Sequence, residues 1–199
     1  MNKIRITIIA ILVIAAIFFS GCASLSSTSG QPPVSSTIDT EFDHLLLSPE
    51  DLPHGFVRAV EGPMPASAIT ETMRNFGWQK GHKALYADAI PLTDKSRVME
   101  QDIMIFPGAN ASVMLDEHQK SFAGINSNDI AALMLPDPDI GDKSFAVKVT
   151  STGATGAETY HYVIGFVKSG TYEVFSMEGI PATYPSLVHA ADQAAKKAR

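Results

Sequence analysis

The sequence predicts an α+β domain: a mostly antiparallel sheet of about five or six strands with helices packed on it. Three observations predict this. First, two apolar, β-branched runs, "TYHYVIGFVK" and "TYEVFSMEG", flank Ser169-Gly170, which is a hairpin signal. Second, segments of helical period are interspersed with strand-like runs in the order helix, strands, helix, strands, helix. Third, the chain closes on an alanine-rich amphipathic stretch that starts at Pro185.

The chain opens with Lys3 and Arg5, then 14 residues from 6 to 19 of which only Thr7 is polar, then Ser20-Gly21-Cys22. A basic head, a short apolar run and small residues are the parts of an export signal. As a helix, 14 residues rise about 21 Å, short of a hydrocarbon core of about 30 Å. Continued to Leu25, the helix would span about 30 Å, so an uncleaved signal anchor is the alternative. Phe19-Ser20-Gly21-Cys22 resembles the lipobox of prokaryotic lipoproteins, with Phe19 where Leu is most usual. The resemblance implies that residues 1–21 are a signal peptide and that lipidation falls on Cys22, the new N-terminus. Two acyl chains anchor stably where one does so marginally.

Composition narrows the rest. Without residues 1–21, 178 residues remain, enough for one domain and a tether. Loss of Lys3 and Arg5 leaves 13 basic against 21 acidic residues, a net charge of −8. Such a chain has no electrostatic reason to bind nucleic acid or anionic lipid, so its membrane contact is expected through the anchor alone. Cys22 is the sole cysteine, which excludes intrachain disulfides and thiolate-built zinc or iron–sulfur sites.

Residues 22–40 are rich in Ser, Thr, Gly and Pro and read as a flexible tether ahead of a domain at 41–199. Ser48-Pro49-Glu50-Asp51 predicts one helical turn, and residues 56–61 a first strand. In "MPASAITETMRNFGW", Ala68, Ile69, Thr72, Met73 and Phe76 fall on one helical face, with Gly77 placed as its C-cap. "GHKALYADAI" and "SRVMEQDIMIF" read as strands, and "GANASVMLDEHQKSF" as a helix with a narrow apolar face. Residues 123–136 carry no decisive period. In "KSFAVKV", Phe145, Val147 and Val149 alternate with Ser144, Ala146 and Lys148, as in a half-buried strand. In the closing helix Leu187, Val188, Ala191, Ala194 and Ala195 share one side, and Lys196 and Lys197 suit the C-terminal dipole.

Candidate sites are few. Asp137, Asp139 and Asp142 lie close enough to suit Ca²⁺, but the further ligands of a calcium loop are missing, and a Pro/Asp turn is the expected reading. The histidines at 44, 54, 82, 118, 161 and 189 form no H-x-H or H-x-x-x-H pair. His161 reads as a surface or rim residue, opposite in parity to Tyr160 and Tyr162. Asp116, Glu117 and His118 are consecutive on a helix and point in different directions. Asn110-Ala111-Ser112 matches a glycosylation acceptor, with a helix N-cap as the alternative. Trp78 and the tyrosines are assigned to the core and rim of the sheet. No nucleophile elbow, P-loop or dinucleotide fingerprint occurs, so no catalytic, cofactor or metal residue is assigned.

The series "LPHGF", "GWQKGHKALY", "DIMIFPGANASVMLDEHQ", "IGDKSF" and "YVIGFVKSGTYEVFSMEG" resembles a group of prokaryotic surface lipoproteins, in a layout similar to the Mog1/PsbP-like α/β sandwich. The resemblance spans roughly residues 45–198 and implies a non-catalytic binding or accessory domain. The expectation is therefore a lipid-anchored extracytoplasmic protein whose partner is an unidentified protein or small ligand. An extracytoplasmic hydrolase with a dispersed site and a structural envelope protein are the alternatives.

Overall fold

The computed structural model describes residues 40–88, 97–153, 157–179 and 182–198. The signal, Cys22 and the tether up to residue 39 lie outside the described residues. In chain order the elements are α1 (Thr40–Asp43), β1 (Phe56–Pro63), a 3₁₀ turn (Ala66–Ala68), α2 (Glu71–Asn75), β2 (Lys80–Asp88) and β3 (Val98–Ile105). There follow α3 (Asn110–Phe122), β4 (Ile130–Leu135), β5 (Lys143–Thr152), β6 (Glu158–Lys168), β7 (Thr171–Glu178) and α4 (Tyr184–Lys197). All strands join one antiparallel sheet in the order β1-β2-β3-β7-β6-β5-β4.

The sheet thus has seven strands, against five or six expected. The unexpected one is β4, "IAALML", in the stretch without a decisive period. Ala, Leu and Met favour helix, and pairing with β5 overrides them. Half of its free edge is already paired: Ala132 N donates to Ile125 O (3.0 Å) and Ser127 N to Ile130 O (2.8 Å). The opposite edge, β1, carries a register shift between Arg58 and Val60 and ends on Pro63, both of which discourage pairing with another chain. The helix expected across residues 64–78 is broken into the 3₁₀ turn and the five-residue α2. Thr70 stops the run by capping α2, its hydroxyl accepting from Met73 N (3.1 Å).

The hairpin between β6 and β7 forms as expected. Ser169 and Gly170 take φ of 50° and 82°, the two positive values that a two-residue turn needs to match strand twist. Strand β5 departs from the half-buried expectation: Ser144, Phe145, Ala146 and Val147 are all buried, because helices cover both faces of the sheet there.

On the first face, α4 and the segment from Phe42 to Leu52 cover Ala84, Tyr86, Met99, Ile103, Ile164, Phe166, Phe175 and Met177. Alanines at 190, 191, 194 and 195 let α4 lie close to the strands. Lys197 in its last turn pairs with Asp51 (2.9 Å), joining the C-terminal helix to the Ser48–Asp51 turn. On the second face, α3 contributes Ala111, Met114, Leu115 and Phe122 to a core with Phe145, Val147, Val163, Val167 and Tyr172. Among the described residues no helix is long and apolar enough to cross a membrane.

Candidate functional site: a charged ladder on the open sheet face

Strand register builds the site. On the second face, three rows of side chains run across the sheet: Lys83–Asp102–Val174, Leu85–Glu100–Ser176–Val163, and Ala87–Val98–Glu178–His161. Helix α3 packs against β5, β6 and β7. Toward the β1 edge the same face presents Val57 and Val60, 47% and 64% exposed. Five ionisable groups are therefore gathered between a helix-covered core and an exposed valine margin.

Lys83 is the centre of the ladder. Its Nζ lies 2.7 Å from Glu100 Oε1 and 3.4 Å from Asp102 Oδ1. Burial pushes the Lys83 pKa down, but the charges of Asp102 and Glu100 overcome this and hold it above the ordinary lysine value. Asp102 is raised, first by burial and then by the neighbouring Glu100 charge, with Lys83 opposing. Two carboxylates share one ammonium, so a proton is retained more readily here than at a free carboxylate. Across the ladder, His161 Nδ1 stands 3.9 Å from Glu178 Oε2. Burial lowers the His161 pKa against the opposing pull of Glu178 and Glu100. Perturbed, partly exposed groups at one surface are a recognised mark of a binding or reacting site.

The structure disperses the candidates weighed from sequence. Asp137 accepts from Asp139 N (3.0 Å) and from the Ser144 hydroxyl. Asp142 accepts instead from Lys168 Nζ and Ser169 N of the β6–β7 hairpin, both at 2.9 Å, so Asp137 bonds a local amide as a turn residue does while Asp142 serves distant donors, and the two do not converge on one site. Asp116 pairs with Lys143 (2.5 Å), Glu117 with Lys120 (2.8 Å), and His118 turns inward to Tyr172 Oη (2.5 Å), in three directions as expected. His82 is buried on the first face and stacks on Phe42. Asn110 is the first residue of α3 and not its cap. Its amide donates to Phe76 O (2.9 Å), which opposes glycosylation in the folded state. Tyr86 and Tyr172 are fully buried and Tyr160 is 39% exposed.

Sequence reasoning passed over Lys83, Glu100 and Asp102 because each sits inside a good strand pattern. The available signal was the pair Glu100 and Asp102 at i, i+2, which places both carboxylates on one face of the strand, between Val98 and Met104.

No family model matches the chain, and no curated protein does. The fold has a solved counterpart. It is similar to the extracellular domain of PknH from Mycobacterium tuberculosis, with a TM-score of 0.56 and 14% identity, over 84% of this chain and 96% of that one. At that identity the likeness is one of fold.

Proposed function

We propose that the protein is a lipid-anchored extracytoplasmic lipoprotein whose domain acts by binding, through the open sheet face that carries Lys83, Glu100, Asp102, His161 and Glu178. The observation that carries the binding role is the ladder itself. Charged groups are half-buried on an uncovered face beside exposed valines, a combination that a partner with apolar and polar groups would complete. The lipobox-like Phe19-Ser20-Gly21-Cys22 supports the anchor, and the fold shared with an extracellular domain fits that side of the membrane.

Two measurements test this. Cys22→Ala is expected to move nearly all of the exported protein from the membrane fraction to the soluble one, and mass spectrometry of the wild-type N-terminus is expected to find a diacylglycerol-modified Cys22. An intact Met1 or an unmodified thiol would sink the anchor. For the binding face, a photo-crosslinking residue at Val60 is compared with one at Val113, an exposed residue on α3. Adducts are expected from position 60 alone, and to be lost in Glu100→Gln/Asp102→Asn. Equal crosslinking from both positions would remove the face from consideration.

A further inference from the structure

The segment from Phe42 to Leu47 forms a strap over the first sheet face, with Phe42, Leu45, Leu46 and Leu47 all buried. It is not a strand of the sheet. Side chains hold its backbone: Gln101 Nε2 donates to Leu45 O (3.2 Å), Leu47 N donates to Tyr86 Oη (3.2 Å), and Arg58 Nη2 donates to Leu47 O (2.7 Å). Tyr86 Oη donates in turn to Gln101 Oε1 (2.7 Å), and Gln101 Nε2 also donates to Glu173 Oε2 (2.8 Å). A continuous hydrogen-bonded chain therefore runs from the strap backbone to Glu173.

Glu173 lies on the central strand β7 with no exposed surface, and its Oε1 has no hydrogen-bond partner. The groups around it offer no counter-charge. From β3 it meets Gln101, and from β2 the titratable groups on this face are Tyr86 and His82, the latter stacked on Phe42. On β1, Arg58 is committed to Glu61 and to Leu47 O. The strap buries leucines and Phe42, β6 supplies Ile164 and Phe166, and α4 supplies Leu187 and alanines. Of the charges on or beside α1 and α4, Glu41 pairs with Lys80, Lys196 with Asp192 and Lys197 with Asp51, while Asp43, His44 and His189 lie exposed at the surface. A carboxylate with one donor and no cation, enclosed in an apolar layer, carries a large desolvation cost, so the closed strap requires the neutral acid.

We propose that Glu173, Gln101 and Tyr86 form a proton-dependent latch: the strap closes over protonated Glu173, and its opening, with the rest of the sheet folded, lets water reach the carboxyl and take its proton. Closing then takes up one proton. Burial pushes Glu173 up to about 8 from an ordinary 4.5, against the single hydrogen bond from Gln101, which places the latch near neutral pH. Opening uncovers the apolar floor that Leu45, Leu46 and Leu47 share with Ile103 and Phe175. The strap is also the first stretch of the domain after the tether predicted from the sequence.

Hydrogen exchange on the full chain from pH 5.5 to 9, corrected for intrinsic rates, tests the latch. Protection of the peptide covering residues 42–52 is expected to fall about tenfold per pH unit up to about 8 and then level off. Peptides of β6 are expected to stay at least about a hundredfold more protected, and Glu173→Gln to make strap protection flat with pH. A flat wild-type profile, an unchanged slope in the variant, or a strap that never exchanges faster than β6 would each overturn the proposal. Should Glu173→Gln not fold, infrared spectroscopy of Asp102→Asn, which removes the other raised carboxyl, replaces it. A buried protonated-carboxyl band is expected at pH 6.5 and lost above about pH 8, and its absence at pH 6.5 overturns the latch.

Discussion

Raising the pH from 6.5 to 8 is expected to lower the thermal midpoint of the wild-type domain by about 5 °C. The sign follows from which state holds the proton. Glu173 is raised to about 8 in the folded protein against 4.5 in the open chain, so the native state keeps a proton that the unfolded state releases. Its contribution is greatest below the unfolded value and is lost as pH rises toward 8, at about 1.4 kcal/mol per pH unit. Asp102, also raised, acts in the same direction. His118 has the opposite sign. Burial against Phe122, Phe145 and Tyr172 holds its pKa down to about 4 from 6.5, so stability is lost as pH falls through that window. His161, also lowered, adds to it. Between about 4.5 and 6.5 the slopes oppose each other and stability is expected to be level. Above 6.5 only the acids act, and about 2 kcal/mol is lost by pH 8, which corresponds to the 5 °C for a domain of this size. Glu173→Gln is expected to remove most of that fall in a calorimetric series. A variant as pH-sensitive as the wild type would show that Glu173 is not the group responsible.

Gly165→Ala is expected to cost about 3 kcal/mol, or about 9 °C in the midpoint, at any pH. Gly165 lies in β6, directly opposite Phe145 on β5. A Cβ at Gly165 would overlap the Phe145 ring, with Cζ at 2.9 Å and Cδ1 at 3.1 Å among the close atoms. The ring has nowhere to move. It is 1% exposed, and the rings of His118 and Phe122 on α3 lie 5.5 Å and 6.0 Å from it. A methyl group there must lift α3 or bend β6. Phe145→Leu in the same chain is expected to recover more than about 1 kcal/mol of the loss in a double-mutant cycle. A Gly165→Ala protein within about 0.5 kcal/mol of the wild type would mean that α3 is less tightly seated than the geometry implies.

Strand β3 explains why the fold was more legible than the site. "VMEQDIMI" is bounded by turn signals and rich in apolar residues, so its strand character is local. Its even-numbered side chains are Val98, Glu100, Asp102 and Met104, and nothing local says that Lys83 lies across from Asp102. Seventeen residues separate Lys83 from Glu100, and antiparallel pairing closes them to 2.7 Å. Gln101 and Glu173 are further apart in sequence and meet only because β3 and β7 are neighbours at the middle of the sheet. The three aspartates near residue 140 drew attention because they are close in the chain, but Asp137 is held within its own loop while Asp142 reaches across to the β6–β7 hairpin at Lys168 and Ser169.

The sequence by itself determined the mixed α+β class, the hairpin at Ser169-Gly170 and the closing helix from the Tyr184–Pro185 region. Each depends on period, turn chemistry or a helix start, which act over a few residues. It also carries the whole case for an anchor at Cys22, which is a matter of local pattern. Tertiary structure decided the seventh strand, the breaking of the helix after Met64, the burial of both faces of β5, the charged ladder and the Glu173 chain. These depend on which strands become neighbours and which face a helix covers, and that is set by summed burial across the sheet, beyond the reach of any short stretch.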